Sequence, residues 1–389
     1  MQFGWSEQHE RIREAVEHLC DRFDLNYWHD RDAKGEFPEE FHRAMAEGGW
    51  LGIAMPEEFG GSGLGIVEAA VLMQAVAQSG AGMSGCSAIH LNIFGPHPIV
   101  KHGTDEQRRR MLPELIAGEK KACFAVTEPD SGLNTSSLKT RAEPDGKGGY
   151  VVHGQKLWTS AAQGADKMLL IARTTPGEQC RRAFDGLTLF YTEFDRRYVT
   201  PTEIPKMGRS AIDSNTVFFD GLPVPAEDRI GEEGKGFYYL LDGLNPERIL
   251  IAAEAVGIGR CALARAADYA RERRVFDRPI GQNQSIQHPL AESWAKLEAA
   301  ELLVYKAAWM YDRGDACGPQ ANAAKYLAAE VGHEACERAI FTHGGMGYAK
   351  EYHVERWLRE IWIARIAPVS WQLALSFIAE KELDLPKSY

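Results

Sequence analysis

Cys123-Phe124-Ala125-Val126-Thr127-Glu128-Pro129-Asp130-Ser131-Gly132 starts as a strand and finishes as a turn. Small, aromatic and β-branched side chains follow one another up to Thr127, which suits a pleated, half-buried surface. Pro129 then removes a donor from any ladder, and Asp130-Ser131-Gly132 is turn chemistry. Thr127 therefore stands where a strand ends and backbone amides are released to face a ligand. On physical grounds this is a strand-to-turn corner; what it binds must be read from its neighbours.

Outward from the corner, the period of the chain changes twice. Residues 1–121 read as helical: Ser6-Glu7 marks a helix start, and Phe37-Pro38-Glu39-Glu40-Phe41 opens another helix with proline in its first turn. Gly60-Gly61-Ser62-Gly63-Leu64-Gly65 interrupts these helices. A phosphate loop would need its third glycine at Ile66 and a strand before it, so an interhelical loop is the reading. Over 122–236 the pattern shortens to alternating stretches, roughly 149–157, 167–172, 187–194 and 214–219, between Gly, Pro and Asp turns. From 237 to 389 the period of 3.6 returns in helices at roughly 237–273, 285–313, 319–342 and 352–381. The fold class is α+β: an N-terminal helical domain (1–121), a middle antiparallel β domain (122–236) and a C-terminal four-helix bundle (237–389).

Composition narrows the function classes. The chain of 389 residues carries 44 basic and 55 acidic side chains, a net charge of −11, which argues against a general nucleic-acid binder. Arg108-Arg109-Arg110 reads as a solvated helix face. Seven cysteines, none spaced Cys-x-x-Cys, read as buried reduced thiols of a cytosolic protein. His90, His97 and His102 do not share one helical face and lack a carboxylate to complete a set, so no metal is expected. The Met-Gln-Phe-Gly-Trp-Ser-Glu start shows neither signal nor transit character, no apolar stretch of spanning length is read, and Lys387-Ser388-Tyr389 is not a peroxisomal tripeptide. A cytoplasmic location is the expectation.

The corner closely resembles the flavin-contacting segment of the acyl-CoA dehydrogenase family, and further matches follow in order. Gly154-Gln155-Lys156-Leu157-Trp158-Thr159-Ser160 looks like that family's second flavin-contacting strand. Arg271-Glu272-Arg273-Arg274-Val275-Phe276-Asp277-Arg278-Pro279-Ile280, followed by Gln284-Ser285-Ile286-Gln287-His288, looks like its Glu-Arg-x-x-Phe segment. Thr342-His343-Gly344-Gly345-Met346-Gly347-Tyr348 looks like the glycine turn before its last helix. The likeness spans essentially the whole chain. It implies FAD as cofactor, with Phe124, Val126 and Thr127 along the isoalloxazine, Trp158 over one face and Ser160 near N5. Gly132, Ser370 and Gln372 are also placed on the cofactor side by this likeness. Arg273 would pair with the flavin pyrophosphate of a neighbouring subunit through its forked donors, and Phe276, Gln284, Gly344 and Gly345 would complete the adenosine side. A homotetramer, an acyl-CoA substrate and an electron-transfer flavoprotein as acceptor are implied as well.

Desaturation of a thioester needs a carboxylate to take the α-proton and donors for the thioester oxygen. The family places that carboxylate either in the last long loop or on an earlier helix. Here the loop reads Arg365-Ile366-Ala367-Pro368-Val369-Ser370-Trp371 and holds no carboxylate. The earlier position reads Gly243-Leu244-Asn245-Pro246-Glu247-Arg248-Ile249, similar to isovaleryl-CoA and long-chain acyl-CoA dehydrogenases, which makes Glu247 the expected base. Taken alone, Asn245-Pro246-Glu247 also reads as a helix start, with Asn as N-cap and Pro at N1. Burial against flavin and acyl chain should raise the pKa of Glu247. Arg248 is expected to orient the site. Pro368 has no N–H to offer the thioester oxygen, so the amide of Val369 is expected to replace it.

Two competing functions share the fold. Flavin oxidases and monooxygenases admit oxygen to the reduced flavin, but the oxygenases generally lack the base that Glu247 provides. The DNA-binding alkylation-response branch adds a basic C-terminal domain, whereas this acidic chain ends soon after its bundle.

Overall fold

The computed structural model describes residues 5–388; the readings of the first four residues and of Tyr389 lie outside the described residues. The N-terminal helices are α1 (Glu7–Cys20), α2 (Leu25–Lys34), α3 (Glu39–Glu47), α4 (Ile66–Val76), α5 (Gly82–Phe94), α6 (His97–His102) and α7 (Asp105–Ile116). Side chains set several starts: Ser6 accepts from the His9 N–H, Asp24 from Tyr27 and Thr104 from Gln107. Each satisfies an amide that the first turn leaves free. Pro38 stands just outside α3 as its N-cap, with a non-helical ψ of 70°, and not in the first turn.

The sheet holds β1 (Ala122–Ala125), β2 (Arg141–Pro144), β3 (Tyr150–Ser160), β4 (Lys167–Arg173), β5 (Leu187–Glu193), β6 (Val199–Glu203), β7 (Ser214–Val224) and β8 (Arg229–Ile230). Its order is β6-β7-β3-β2-β4-β5-β8, with β1 beside β4. Most pairs are antiparallel; β1 and the end of β2 run parallel to β4. Alternation along β4 explains how the sheet is seated. Met168 and Leu170 join Phe190, Val217 and Phe219 in a core within the β domain. Leu169 and Ile171 point the other way, against Met111, Leu112 and Leu115 of α7. Arg110 adds an ion pair to Asp228 at 2.8 Å, so one member of the Arg108–Arg110 run docks α7 and is not merely solvated.

Beyond the sheet come α8 (Gly236–Glu272), the short strands β9 (Arg274–Val275) and β10 (Arg278–Pro279), then α9 (Gln284–Asp312), α10 (Gly318–His343), α11 (Val354–Ile366) and α12 (Trp371–Glu382). Two expectations are corrected. Asn245-Pro246 starts no helix: α8 runs through it from Gly236, and Pro246 is an interior proline that withholds one backbone donor. The last helix of the bundle is two helices, parted at Ala367–Ser370, where Pro368 cannot extend α11.

One core joins the two helical regions. Phe41, Val71 and Leu72 pack with Ile249, Leu297, Ala328 and Ile361. Asp312, at the end of α9, accepts the Ile66 and Val67 amides at 2.7 and 2.9 Å and so caps α4 from the far end of the sequence. Between α4 and α5, Ala77–Ala81 form a π-helical turn in which Gly80 has φ 101°. The Gly80 carbonyl accepts from Arg356 and Trp357 of α11, and Glu360 accepts from Ser84. The stretch Ile66–His102 is long and apolar enough to cross a membrane by length and composition, which corrects the reading that no such stretch exists. In this fold 78% of its apolar window is buried inside the molecule, as a core element.

Candidate active site

The corner at Thr127 is braced from behind by charge. Lys156, fully buried on β3, donates to Glu128 at 2.9 Å and to the Val126 carbonyl at 3.0 Å. Glu128 also accepts the Lys139 and Thr140 amides at 2.6 and 3.0 Å. Burial alone would raise the Glu128 pKa; Lys156 and these donors outweigh it and hold the carboxyl below its ordinary range. The Leu157 N–H donates to the Thr127 carbonyl at 2.8 Å, so the end of β1 and the middle of β3 form one unit.

That unit presents the first group of expected site residues. Phe124 packs edge-on to Phe94 at 5.7 Å, Val126 is buried, Thr127 and Ser160 are half-buried, and Gly132 is exposed. Trp158 has φ 60°, a left-handed backbone uncommon for a bulky residue. Its indole stands 54% exposed, a large apolar face with no protein against it.

Behind Phe94 the ring contacts lead to the candidate base. Phe94 touches His90 at 4.8 Å, and His90 Nδ1 lies 2.6 Å from Glu254 Oε1. Glu247 stands on the same helix seven residues earlier, hence on the same face as Glu254. Its carboxyl is buried and its Oε2 has no hydrogen-bond partner. Burial pushes the Glu247 pKa up to about 7, against the smaller opposing pull of His90, Arg248 and Lys325. Arg248 donates to Asn245 at 3.0 Å and lies beside the carboxyl without bonding it. Lys325 of α10 is fully buried and donates to the Val369 carbonyl at 2.5 Å. Lys325, whose charge also acts on Glu247, thereby links Val369 to the carboxyl, and among the described residues the Val369 N–H finds no hydrogen-bond partner. Ser370 caps α12 by accepting the Leu373 N–H at 3.4 Å, and Gln372 is exposed on its first turn.

A second group lies elsewhere. Arg273, Phe276 and Gln284 are exposed at and beyond the C-terminal end of α8. Gly344 and Gly345 sit open at the end of α10, where His343 stacks on Tyr269 at 4.3 Å. From Glu247 to Arg273 the helix advances about 39 Å at 1.5 Å per residue. One chain therefore does not bring this group to Glu247.

Several residues of the candidate site escaped the sequence reading: Lys156 with Glu128, Lys325 and Glu254. Only Glu254 left a legible sign, a second acid on the face of Glu247. The three histidines have separate partners: His90 on Glu254, His97 on Tyr311 and His102 on Asp242. Among the described residues no group of three His, Cys, Asp or Glu side chains is placed to hold a metal. All seven cysteines are free thiols, buried or half-buried.

Comparison with known proteins agrees along the whole chain. Family models described as acyl-CoA dehydrogenase N-terminal, middle and C-terminal domains match residues 6–119, 123–222 and 234–381. The acyl-CoA dehydrogenase FadE12 of Mycobacterium tuberculosis is 36% identical over 99% of this chain and 98% of that protein. A 3-(aryl)acrylate reductase of Clostridium sporogenes is 33% identical over 93% of this chain and 95% of its own length. Among solved structures, butyryl-CoA dehydrogenase from Megasphaera elsdenii superposes with a TM-score of 0.93 at 28% identity, covering 98% of this chain and all of that one.

Proposed function

The chain belongs to the acyl-CoA dehydrogenase family, and on that premise we propose that it desaturates an acyl-CoA thioester between Cα and Cβ with Glu247 as base. The observation that carries the reading is the Glu247 carboxyl: buried, with a free Oε2, and with a pKa lifted to about 7. A carboxylate poised near neutrality is suited to general-base work.

The residues present fit a flavin, FAD in the first instance. Trp158 offers an uncovered indole beside the braced corner, and Phe276 is 93% exposed with nothing of its own chain to cover it. A side-chain Cβ at Gly132, Gly344 or Gly345 would meet only open space. When bound, the flavin supplies the hydride acceptor. Thr127, Trp158 and Ser160 would hold its ring system, and Arg273, Phe276, Gln284, Gly344 and Gly345 would serve the adenosine end in a neighbouring subunit. Glu247 Oε2 takes the α-proton. The Val369 N–H donates to the thioester oxygen in place of the donor Pro368 lacks, and Lys325 sets the direction of that peptide by holding the Val369 carbonyl.

Glu247→Gln should keep its flavin yet bleach roughly 100- to 10,000-fold more slowly with acyl-CoA under anaerobic conditions. Normal bleaching by the variant would remove Glu247 from the role. The C. sporogenes relative's name favours a second reading, reduction of the corresponding enoyl thioester; reoxidation of reduced enzyme by enoyl-CoA decides the direction. We further propose a cytoplasmic homotetramer served by an electron-transfer flavoprotein. Exposed Trp294, Leu302, Trp309 and Phe341 support the assembly, and sedimentation at a single-chain mass would contradict it.

A further inference from the structure

The candidate base shares its face of α8 with a second acid, and that acid is engaged by a histidine from another helix. Glu254 follows Glu247 by about two turns, about 10 Å along the axis. His90 reaches across from α5 and brings Nδ1 to 2.6 Å from Glu254 Oε1. A contact that short belongs with charge-assisted hydrogen bonds. It commits Nδ1 and leaves the other ring nitrogen, Nε2, buried without a partner. Glu247 Oε2 is buried and unpartnered as well. Phe94 packs on the His90 ring at 4.8 Å and edge-on to Phe124 at 5.7 Å, so one flank of the imidazole is covered by aromatic carbon. Charges enclosed in this way act on one another with little screening.

Three cations from three helices act on Glu247: His90 of α5, Arg248 of α8 and Lys325 of α10. Arg248 donates to Asn245 and Lys325 to the Val369 carbonyl, both neutral acceptors, whereas His90 is held by a carboxylate. Burial by itself would strip the proton from His90. Glu254 outweighs it and keeps the ring protonated to higher pH than an ordinary histidine, with smaller effects from Glu247 in its favour and from Arg209 against it. Arg209 comes from the loop between β6 and β7 and donates to Ser87 Oγ at 2.7 Å. Around Glu247, burial is the leading influence and favours the neutral acid. His90 is the largest influence against it, followed by Arg248, and Lys325 is the smallest. Glu254 sides with burial, by less than His90 opposes it.

We propose that His90 is a positioning residue for the base: clamped by Glu254 through Nδ1, its imidazolium draws the Glu247 carboxyl into the charged form that takes the α-proton. This rests on the reading of Glu247 as base. Glu254 then acts on Glu247 in two opposed ways, directly as a like charge and indirectly by keeping His90 charged, and the indirect route is the stronger. Neutralising one of two neighbouring acids ordinarily lets the other ionise more easily. Here Glu254→Gln also discharges His90, so Glu247 should ionise less easily, a sign that repulsion between the two acids does not produce.

The test follows anaerobic flavin bleaching by acyl-CoA against pH in the wild type, His90→Gln, Glu254→Gln and the double variant. The acid limb of all three variants should stand roughly one pH unit above that of the wild type, the shift expected when an opposite charge is lost from a buried carboxyl. Activity at about pH 6 then falls by about tenfold, and by much less at about pH 9. The double variant should match Glu254→Gln, in which the ring is already uncharged, and His90→Lys should recover part of the shift. A limb that Glu254→Gln moves to lower pH, or leaves in place, overturns the proposal. Neutron diffraction from wild-type crystals at about pH 7.5, above the ordinary range of histidine, reads the same claim without a substitution. His90 should carry hydrogen on both ring nitrogens, and hydrogen on one alone overturns the proposal whether or not the variants fold. The two readings fail separately. Normal bleaching by Glu247→Gln removes the base, whatever His90 carries. An inactive Glu247→Gln with an unmoved limb in Glu254→Gln sinks the role of His90 alone.

Discussion

Glu247 follows an interior proline on α8, and burial outweighs the opposing pull of His90, Arg248 and Lys325, so its proton is held by lack of solvation more than by any single neighbour. The charged form must exist before it can accept a proton. Below the raised pKa the fraction of active enzyme falls, and above it the fraction is complete. The expected kcat/KM profile therefore climbs about tenfold per pH unit up to about pH 7 and is level beyond. A profile flat from about pH 5.5 to about pH 8.5 would contradict this assignment of the base. The sequence points to Glu247 because the loop around Pro368 holds no rival carboxylate, and burial of its carboxyl is what supports the proposal. Lys325 was not legible there, because its role arises from a backbone carbonyl far away in sequence. A lysine on a helix gives no sign that its ammonium will be buried against the Val369 carbonyl.

At the scale of elements, the corner between β1 and β3 depends on the Lys156–Glu128 pair. Removing one charge leaves the other buried and uncompensated, which costs about 3–5 kcal/mol. Glu128→Gln should lower urea-unfolding stability by that amount and loosen flavin retention. A double change of Lys156 and Glu128 to apolar residues of similar volume should restore much of it. If Glu128→Gln proves neutral in urea, the pair is not what braces the corner. Strands and helices were largely legible, since alternation and the 3.6 period are local properties. The short β2, β6 and β8 were missed because two to five residues carry too little pattern. The helix expected over 237–273 is α8, and only the reading of Asn245-Pro246-Glu247 taken alone fails. Asn-Pro-Glu is a good local start, but packing on both sides of it continues α8 through the proline.

The whole molecule is tied together across its sequence. Asp312 caps α4, so Asp312→Ala should cost about 1–2 kcal/mol by removing two accepted amides. Urea unfolding would read the loss, and an unchanged midpoint would show that water caps α4 equally well. Sequence order alone divides the chain into three successive parts, whereas the helical core draws side chains from Ile12 to Ala364. The shared core bears on synthesis. As the chain leaves the ribosome, the apolar stretch Ile66–His102 emerges long before α8, α9 and α10 exist to cover it. At ordinary elongation rates that gap is on the order of tens of seconds. The β sheet, with a core of its own, can close during the wait. The N-terminal helices share their core with the last ones, so their apolar faces stay uncovered until the bundle helices are out.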